Sequence, residues 1–227
     1  RLVKPHLGAW SPQGRSLSPY PPLLPPVRAK TRRIDHPGEQ VHLLIGHLGI
    51  PRAHPDFEAL VVLDHILGMG PGFSDRLGRI VRDELGLVYA IAGGITDSAD
   101  LLPGLFRVYA GTTPREVERV IATITSEIQA MHDGDFSDEE VDRARRYLSG
   151  AYIFDFQTVE QRAERLLELE RLGLDLDPPT RWPDQIARIT PRRVRQAAKA
   201  HLHPSSLFRV EYGPLLNPRG KSRIECA

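Results

Sequence analysis

Arg82 and Tyr89 are the two residues of this chain whose types and spacing define a chemistry most sharply. They bracket the run Arg82-Asp83-Glu84-Leu85-Gly86-Leu87-Val88-Tyr89, in which a helical pattern stops at a glycine and an apolar run begins. A helix that ends at Gly86 and turns straight into a strand brings its last-turn guanidinium near the strand's early residues. Guanidinium and phenol are both hydrogen-bond donors, and side by side they suit a carbonyl oxygen or an oxyanion. A plainer assignment uses the same residues: Arg82 pairs with Asp83 or Glu84 on the surface, and Tyr89 is a strand aromatic with a solvated hydroxyl.

The chain has nine histidines, so a metal centre is the next chemistry to weigh. Zinc peptidases carry His-x-x-Glu-His or His-Glu-x-x-His on a helix, which sets two imidazoles on the metal beside a glutamate base. Neither spacing occurs here; His54-Pro55-Asp56-Phe57-Glu58 and Asp64-His65 are the nearest fragments. His42, His47, His54 and His65 lie close in sequence, but strand alternation sends His42 and His47 to opposite faces. No metal and no cofactor is expected in this chain, and alone it should not hydrolyse peptides.

Other functions are excluded on similar grounds. Gly68, Gly70 and Gly72 lack the Lys-Ser/Thr of a phosphate loop and follow a helix, so they read as a helix-to-helix turn. Arginine-rich pieces at Arg143-Ala144-Arg145-Arg146 and Arg192-Arg193-Val194-Arg195 have no aromatic platform, and acidic residues interleave the first, so no nucleic-acid partner is expected. A net charge of +1 creates no global field. The single cysteine, Cys226, rules out an intrachain disulfide. No apolar run approaches the roughly 20 residues of a membrane span. The expected setting is soluble, cytoplasmic or periplasmic.

These donors need a scaffold. Residues 1–31 are rich in proline, serine and glycine and read as an extended linker or arm. Arg32–Asp35 forms a short strand. Val41–Gly49, apolar on both faces, reads as a central strand. Pro55 opens a helix with Phe57, Leu60, Leu63 and Leu67 inward. Ser74 caps the next helix, with Leu77, Ile80, Val81 and Leu85 on one face. Leu87–Thr96 and Leu101–Thr112 form a hairpin through Asp97–Asp100, with Pro103 marking an edge or bulge. Helices then follow: one from Pro114 to Asp133-Gly134, one opened by the Ser137-x-x-Glu140 capping box, and one from Glu160 to Gly173. Two short helices are capped by Thr180 and Thr190. Ser206–Tyr212 is the last strand, and 214–227 is a disordered tail. Strands at both ends with helices between them give an α+β domain over 32–213: two layers, a mostly antiparallel sheet with helices packed on one face.

The run SDRLGRIVRDELGLVYAI from Ser74, preceded by IPRAHPDFEALVVLDHILG from Ile50, resembles the insulinase, pitrilysin and mitochondrial-processing-peptidase family of zinc metallopeptidases. The likeness extends from about Arg32 to Tyr212 and is to the half that lacks the zinc motif. That resemblance implies that Arg82 and Tyr89 are donated to an active site whose zinc and general base lie on a separate HxxEH-bearing domain or subunit. Hydroxide produced there would attack the scissile bond of an extended peptide. Tyr89 would hydrogen-bond the resulting oxyanion, and Arg82 a substrate carbonyl beside it. The partner is another domain of the same polypeptide or the second subunit of a heterodimer. The alternative from a different class is a structural or scaffold subunit of the same fold with no peptidase role.

Overall fold

The computed structural model describes residues 3–9, 29–176 and 181–214. A short helix, α1, covers Val3–Leu7, inside the segment expected to be extended; the proline pairs of that segment lie outside the described residues. The strands are β1 (Lys30–Asp35), β2 (Val41–Leu48), β3 (Val88–Gly94), β4 (Leu105–Thr112) and β5 (Phe208–Gly213). They form one five-stranded sheet in the order β1-β5-β2-β4-β3. All pairings are antiparallel except β1 with β5, which run parallel.

β2 occupies the centre, as its two apolar faces predict. Val41, Leu43, Ile45 and His47 face the helical layer and are buried, whereas His42 and Leu44 stand on the open face. Every second residue of a strand faces the same side, so this alternation fixes which face the helices cover. The helices are α2 (Phe57–Leu67), α3 (Val117–Asp133), α4 (Asp138–Ala151), α5 (Val159–Leu172), α6 (Arg181–Ala187) and α7 (Pro191–His201). Leu60 and Leu63 of α2, Ile124 and Ile128 of α3, Val141 of α4 and Val194 of α7 are fully buried in one core with Phe106 and Val108 of β4. Burying each such side chain is worth about 1.5–3 kcal/mol. The result is the expected two-layer α+β domain.

Chain punctuation follows sequence closely at several ends. Gly134 and Gly173 take the left-handed conformation that closes α3 and α5. At α4 the capping box is complete: Glu140 N–H donates to Ser137 Oγ at 3.1 Å, and Ser137 N–H donates to Glu140 Oε2 at 2.8 Å. Ser137→Ala removes one side of this exchange and is expected to cost about 1 kcal/mol, read as a lower urea midpoint at unchanged m-value. Thr190 caps α7 as predicted, whereas the cap assigned to Thr180 lies outside the described residues, as does the tail from 215 onward.

The β3–β4 connection is longer than its sequence pattern implied. β3 stops at Gly94 and β4 begins at Leu105, so Pro103 precedes the strand instead of opening it. The cause is Asp64 of α2. Its buried carboxylate accepts from Ile95 N–H at 2.9 Å, Thr96 N–H at 2.9 Å and Thr96 Oγ1 at 2.5 Å, which diverts these groups from the sheet ladder. Just before them, Gly93 N–H donates to Gly68 O at 3.1 Å. A Cβ on Gly68 would come within 2.7 Å of Gly93 N, so glycine is what lets the end of α2 touch the strand.

Candidate functional site

The segment leading to Arg82 is built differently from an ordinary helix. Its start is fixed by Asp75, not Ser74: Gly78 N–H donates to Asp75 Oδ1 at 2.7 Å, and Ser74 instead ends a 3₁₀ turn over Pro71–Phe73. Gly78–Glu84 is then a π-helix. Leu85 N–H reaches Ile80 O at 3.0 Å, a five-residue step. This wider turn keeps Leu77 and Val81 buried but rotates Leu85 outward to 39% exposure, against the four-residue stripe predicted for it. Arg76 binds Glu127 of α3 at 3.4 Å and Glu140 of α4 at 3.0 Å, clamping the segment to the helical layer. Gly86, at φ +61°, closes the segment as predicted, and Thr112 Oγ1 donates to Leu87 O at 2.6 Å where the chain enters β3.

β3 is an edge strand with a bulge at its start. Val88 pairs with Thr112 and Ala90 with Gly111, leaving Tyr89 between them without a partner residue. The extra residue resets the alternation, so Tyr89 and Ala90 both face outward while Val88 and Ile91 remain buried. Tyr89 is 82% exposed. Arg82 occupies the last turn of the π-helix on the element adjoining β3, half-buried, with Asp83 at 3.9 Å. Glu84, the other carboxylate considered for Arg82, pairs with Arg79. Farther along β3, a groove of about 350 Å³ opens on the uncovered sheet face between Leu44, Met69, Ala92, Gly94, Arg107 and Tyr109.

The histidines do not assemble as their closeness in sequence would have them. His42, on the open face, lies 2.9 Å from Tyr109 Oη through Nδ1. His47, on the opposite face, donates from Nδ1 to Leu48 O at 2.8 Å and accepts His203 N–H at Nε2 at 3.1 Å. Burial drives its pKa down to about 4. It is a neutral core histidine with both nitrogens satisfied. His65 sits 3.2 Å from Val61 O one turn back in α2. Among the described residues, the group of three ligand types that does converge is His54, Asp56 and His201, and it is not an HxxEH arrangement. The residues present therefore do not form the HxxEH zinc-and-base set. No described helix is long and apolar enough to cross a membrane.

The sequence likeness and this architecture meet in the comparisons with known proteins. The model of the peptidase M16 inactive domain matches residues 1–148. The chain belongs to the peptidase M16 inactive domain family. Its relatives include an uncharacterized zinc protease from Streptomyces coelicolor, 29% identical over an alignment of 185 residues that covers 78% of this chain and 39% of that one. The crystal structure of a peptidase M16 inactive domain from Pseudomonas fluorescens superposes with a TM-score of 0.80 at 26% identity, over 89% of this chain and 48% of that one. An inactive peptidase domain from Bordetella parapertussis superposes with a TM-score of 0.64 at 25% identity, covering 78% of this chain and 93% of its own. This M16 inactive domain thus spans less than half the length of the Streptomyces and Pseudomonas chains. The family named from the Ile50–Ile91 motifs is the one that matches, and the missing HxxEH agrees with an inactive domain.

Proposed function

We propose that this M16 inactive domain is the substrate-binding half of a zinc metallopeptidase and donates Arg82 and Tyr89 to an active site completed by an HxxEH-bearing domain or subunit. One observation carries the reading: a sheet-edge bulge aims a tyrosine hydroxyl into solvent next to the element that carries a last-turn arginine. A buried aromatic would need no such device, and bulges and π-turns concentrate where a side chain must be re-aimed. The catalytic zinc and general base belong to the other half. Tyr89 Oη donates to the scissile carbonyl oxygen as negative charge grows on it. Arg82 holds a neighbouring backbone carbonyl of the substrate. An extended peptide lies along the open part of the β3 edge, where main-chain pairing accepts many sequences; Gly68 limits that edge by already holding Gly93 N–H.

The experiment is turnover of a quenched fluorescent peptide by this chain assembled with its HxxEH-bearing half, for wild type, Arg82→Ala and Tyr89→Phe. Reduced turnover at unchanged zinc content supports donation. Equal turnover in all three removes Arg82 and Tyr89 from the chemistry, and a stable assembly without cleavage in any combination makes the domain a scaffold.

A further inference from the structure

A second site lies on the helical side at the other end of the sheet. His54 and Asp56 stand in the turn that starts α2, and His201 is the last residue of α7. Each contributes one ligand atom, and the three atoms lie within 4.8 Å of one another. Asp56 Oδ2 is 2.8 Å from His201 Nε2 and 3.9 Å from His54 Nδ1. His54 Nδ1 also accepts Asp56 N–H at 3.1 Å, so a cation bound through that nitrogen takes the place of this hydrogen bond. Tetrahedral zinc with bonds of about 2.0–2.1 Å requires ligand atoms about 3.3 Å apart, a value the two Asp56 Oδ2 separations bracket. The two imidazole rings meet edge-to-face with centroids 4.7 Å apart. Arg193 pairs with Asp56 Oδ1, so the carboxylate presents its other oxygen between the rings. The turn is held by His54 N–H to Pro51 O at 3.1 Å and Phe57 N–H to His54 O at 3.0 Å, which fixes the backbone that carries His54 and Asp56.

We propose that His54, Asp56 and His201 bind one divalent cation of the zinc type. Two imidazoles and a carboxylate are borderline donors suited to zinc, cobalt or nickel, and unlike a hard oxygen cage they do not suit magnesium or calcium. All three side chains are partly exposed, at 29%, 15% and 17%, so a fourth position opens to water. Bound there, the cation staples the start of α2 to the end of α7, replacing the His201–Asp56 hydrogen bond by three bonds beside the Arg193–Asp56 ion pair. It is not the peptidase centre. Tyr89 lies near Val41 and Thr112 in the sheet register, whereas the His54 turn follows Leu48, about 20 Å along the strand. The proposal is independent of the donation reading, and either can fail alone.

Equilibrium dialysis of the chain against zinc chloride, followed by elemental analysis, tests it. Wild type is expected to retain about one zinc per chain and to gain thermal stability from it. Cobalt in its place should give the visible absorption of a low-coordinate site. His201→Ala and His54→Gln should each weaken binding by about tenfold or more, while His42→Ala, on the opposite sheet face, leaves it unchanged. His54→Gln touches no helix interior, so it remains informative where His201→Ala loosens α7. No retained zinc, or retention undiminished in either ligand variant, overturns the proposal.

Discussion

Tyr89→Phe is expected to lower turnover of the assembled peptidase about 100- to 1,000-fold while leaving zinc content unchanged, the usual effect of removing one oxyanion donor. The substitution deletes a single hydroxyl from a side chain that is 82% exposed and packs in no core. Fold and assembly should therefore survive it, with stability within about 0.5 kcal/mol of wild type. Because the hydrogen bond strengthens only as charge develops on the oxygen, the loss should fall on kcat more than on KM. Arg82→Ala removes a donor to a carbonyl that does not react, so its loss should divide between the two parameters. Asp83→Asn is the control: it alters the carboxylate 3.9 Å from Arg82 without removing either donor. If Asp83→Asn matches Arg82→Ala, the arginine serves a surface ion pair and the donation reading fails.

Asp64→Asn should give the largest change in how stability responds to pH. Burial raises the Asp64 carboxyl from its ordinary 3.8 to about 7, against the pull of the Thr96 and Ile95 donors. A carboxyl raised in the folded state keeps its proton where the unfolded chain has lost it. Its contribution is therefore present at the acid end and lost as pH rises from 3.8 to about 7, by about 4 kcal/mol. His47 has the opposite sign. With its pKa lowered from 6.5 to about 4, the unfolded chain takes up the proton first, and stability is lost as pH falls through that window, by about 3 kcal/mol. In wild type the two slopes oppose each other. Asparagine cannot titrate, so Asp64→Asn removes one opponent of the His47 slope, leaving the raised carboxyls of Asp75 and Glu127, and the variant's urea midpoint should fall more steeply on acidification than that of wild type. At neutral pH the variant also loses about 1–3 kcal/mol, because its amide turns a donor toward one of the backbone N–H groups. Parallel midpoint-versus-pH curves for wild type and variant would show that Asp64 does not titrate in this range.

What the sequence disclosed was whatever period and punctuation encode. The inward stripe of α2, the Ser137–Glu140 box and the left-handed glycines Gly86, Gly134 and Gly173 are local, and each appears where its residues put it. What it concealed depended on partners far along the chain. Asp75 displaces Ser74 as the cap because its carboxylate, not the neighbouring hydroxyl, meets Gly78 N–H. The π-turn that exposes Leu85 and the bulge at Tyr89 each insert one residue into a regular period, and no periodicity announces an insertion. Asp64 and Arg76 were equally silent. A lone aspartate in an apolar helix and one arginine among many gain meaning only when Thr96, Glu127 and Glu140 arrive from elsewhere. For the proposed donor pair, the Arg82-to-Tyr89 spacing was legible, but the bulge that turns the phenol outward was not.

The order of strands in the sheet also sets an order in time. β2, β4 and β3 adjoin one another and lie within the first half of the chain, so they can pair early with α2 against them. β5, the last of the described strands, inserts next to β2 and is the strand that pairs with β1, through the Lys30–Phe208 to Asp35–Gly213 register and the Arg33–Glu211 ion pair at 3.0 Å. Nearly the whole described length must be looped before those contacts repay its closure. Until then β2 keeps a bare edge at the middle of the future sheet. A ribosome-bound chain stalled before Phe208 should therefore be a protease-sensitive, aggregation-prone half-sheet with its helices in place, and release of the last strand is the step that seals the domain.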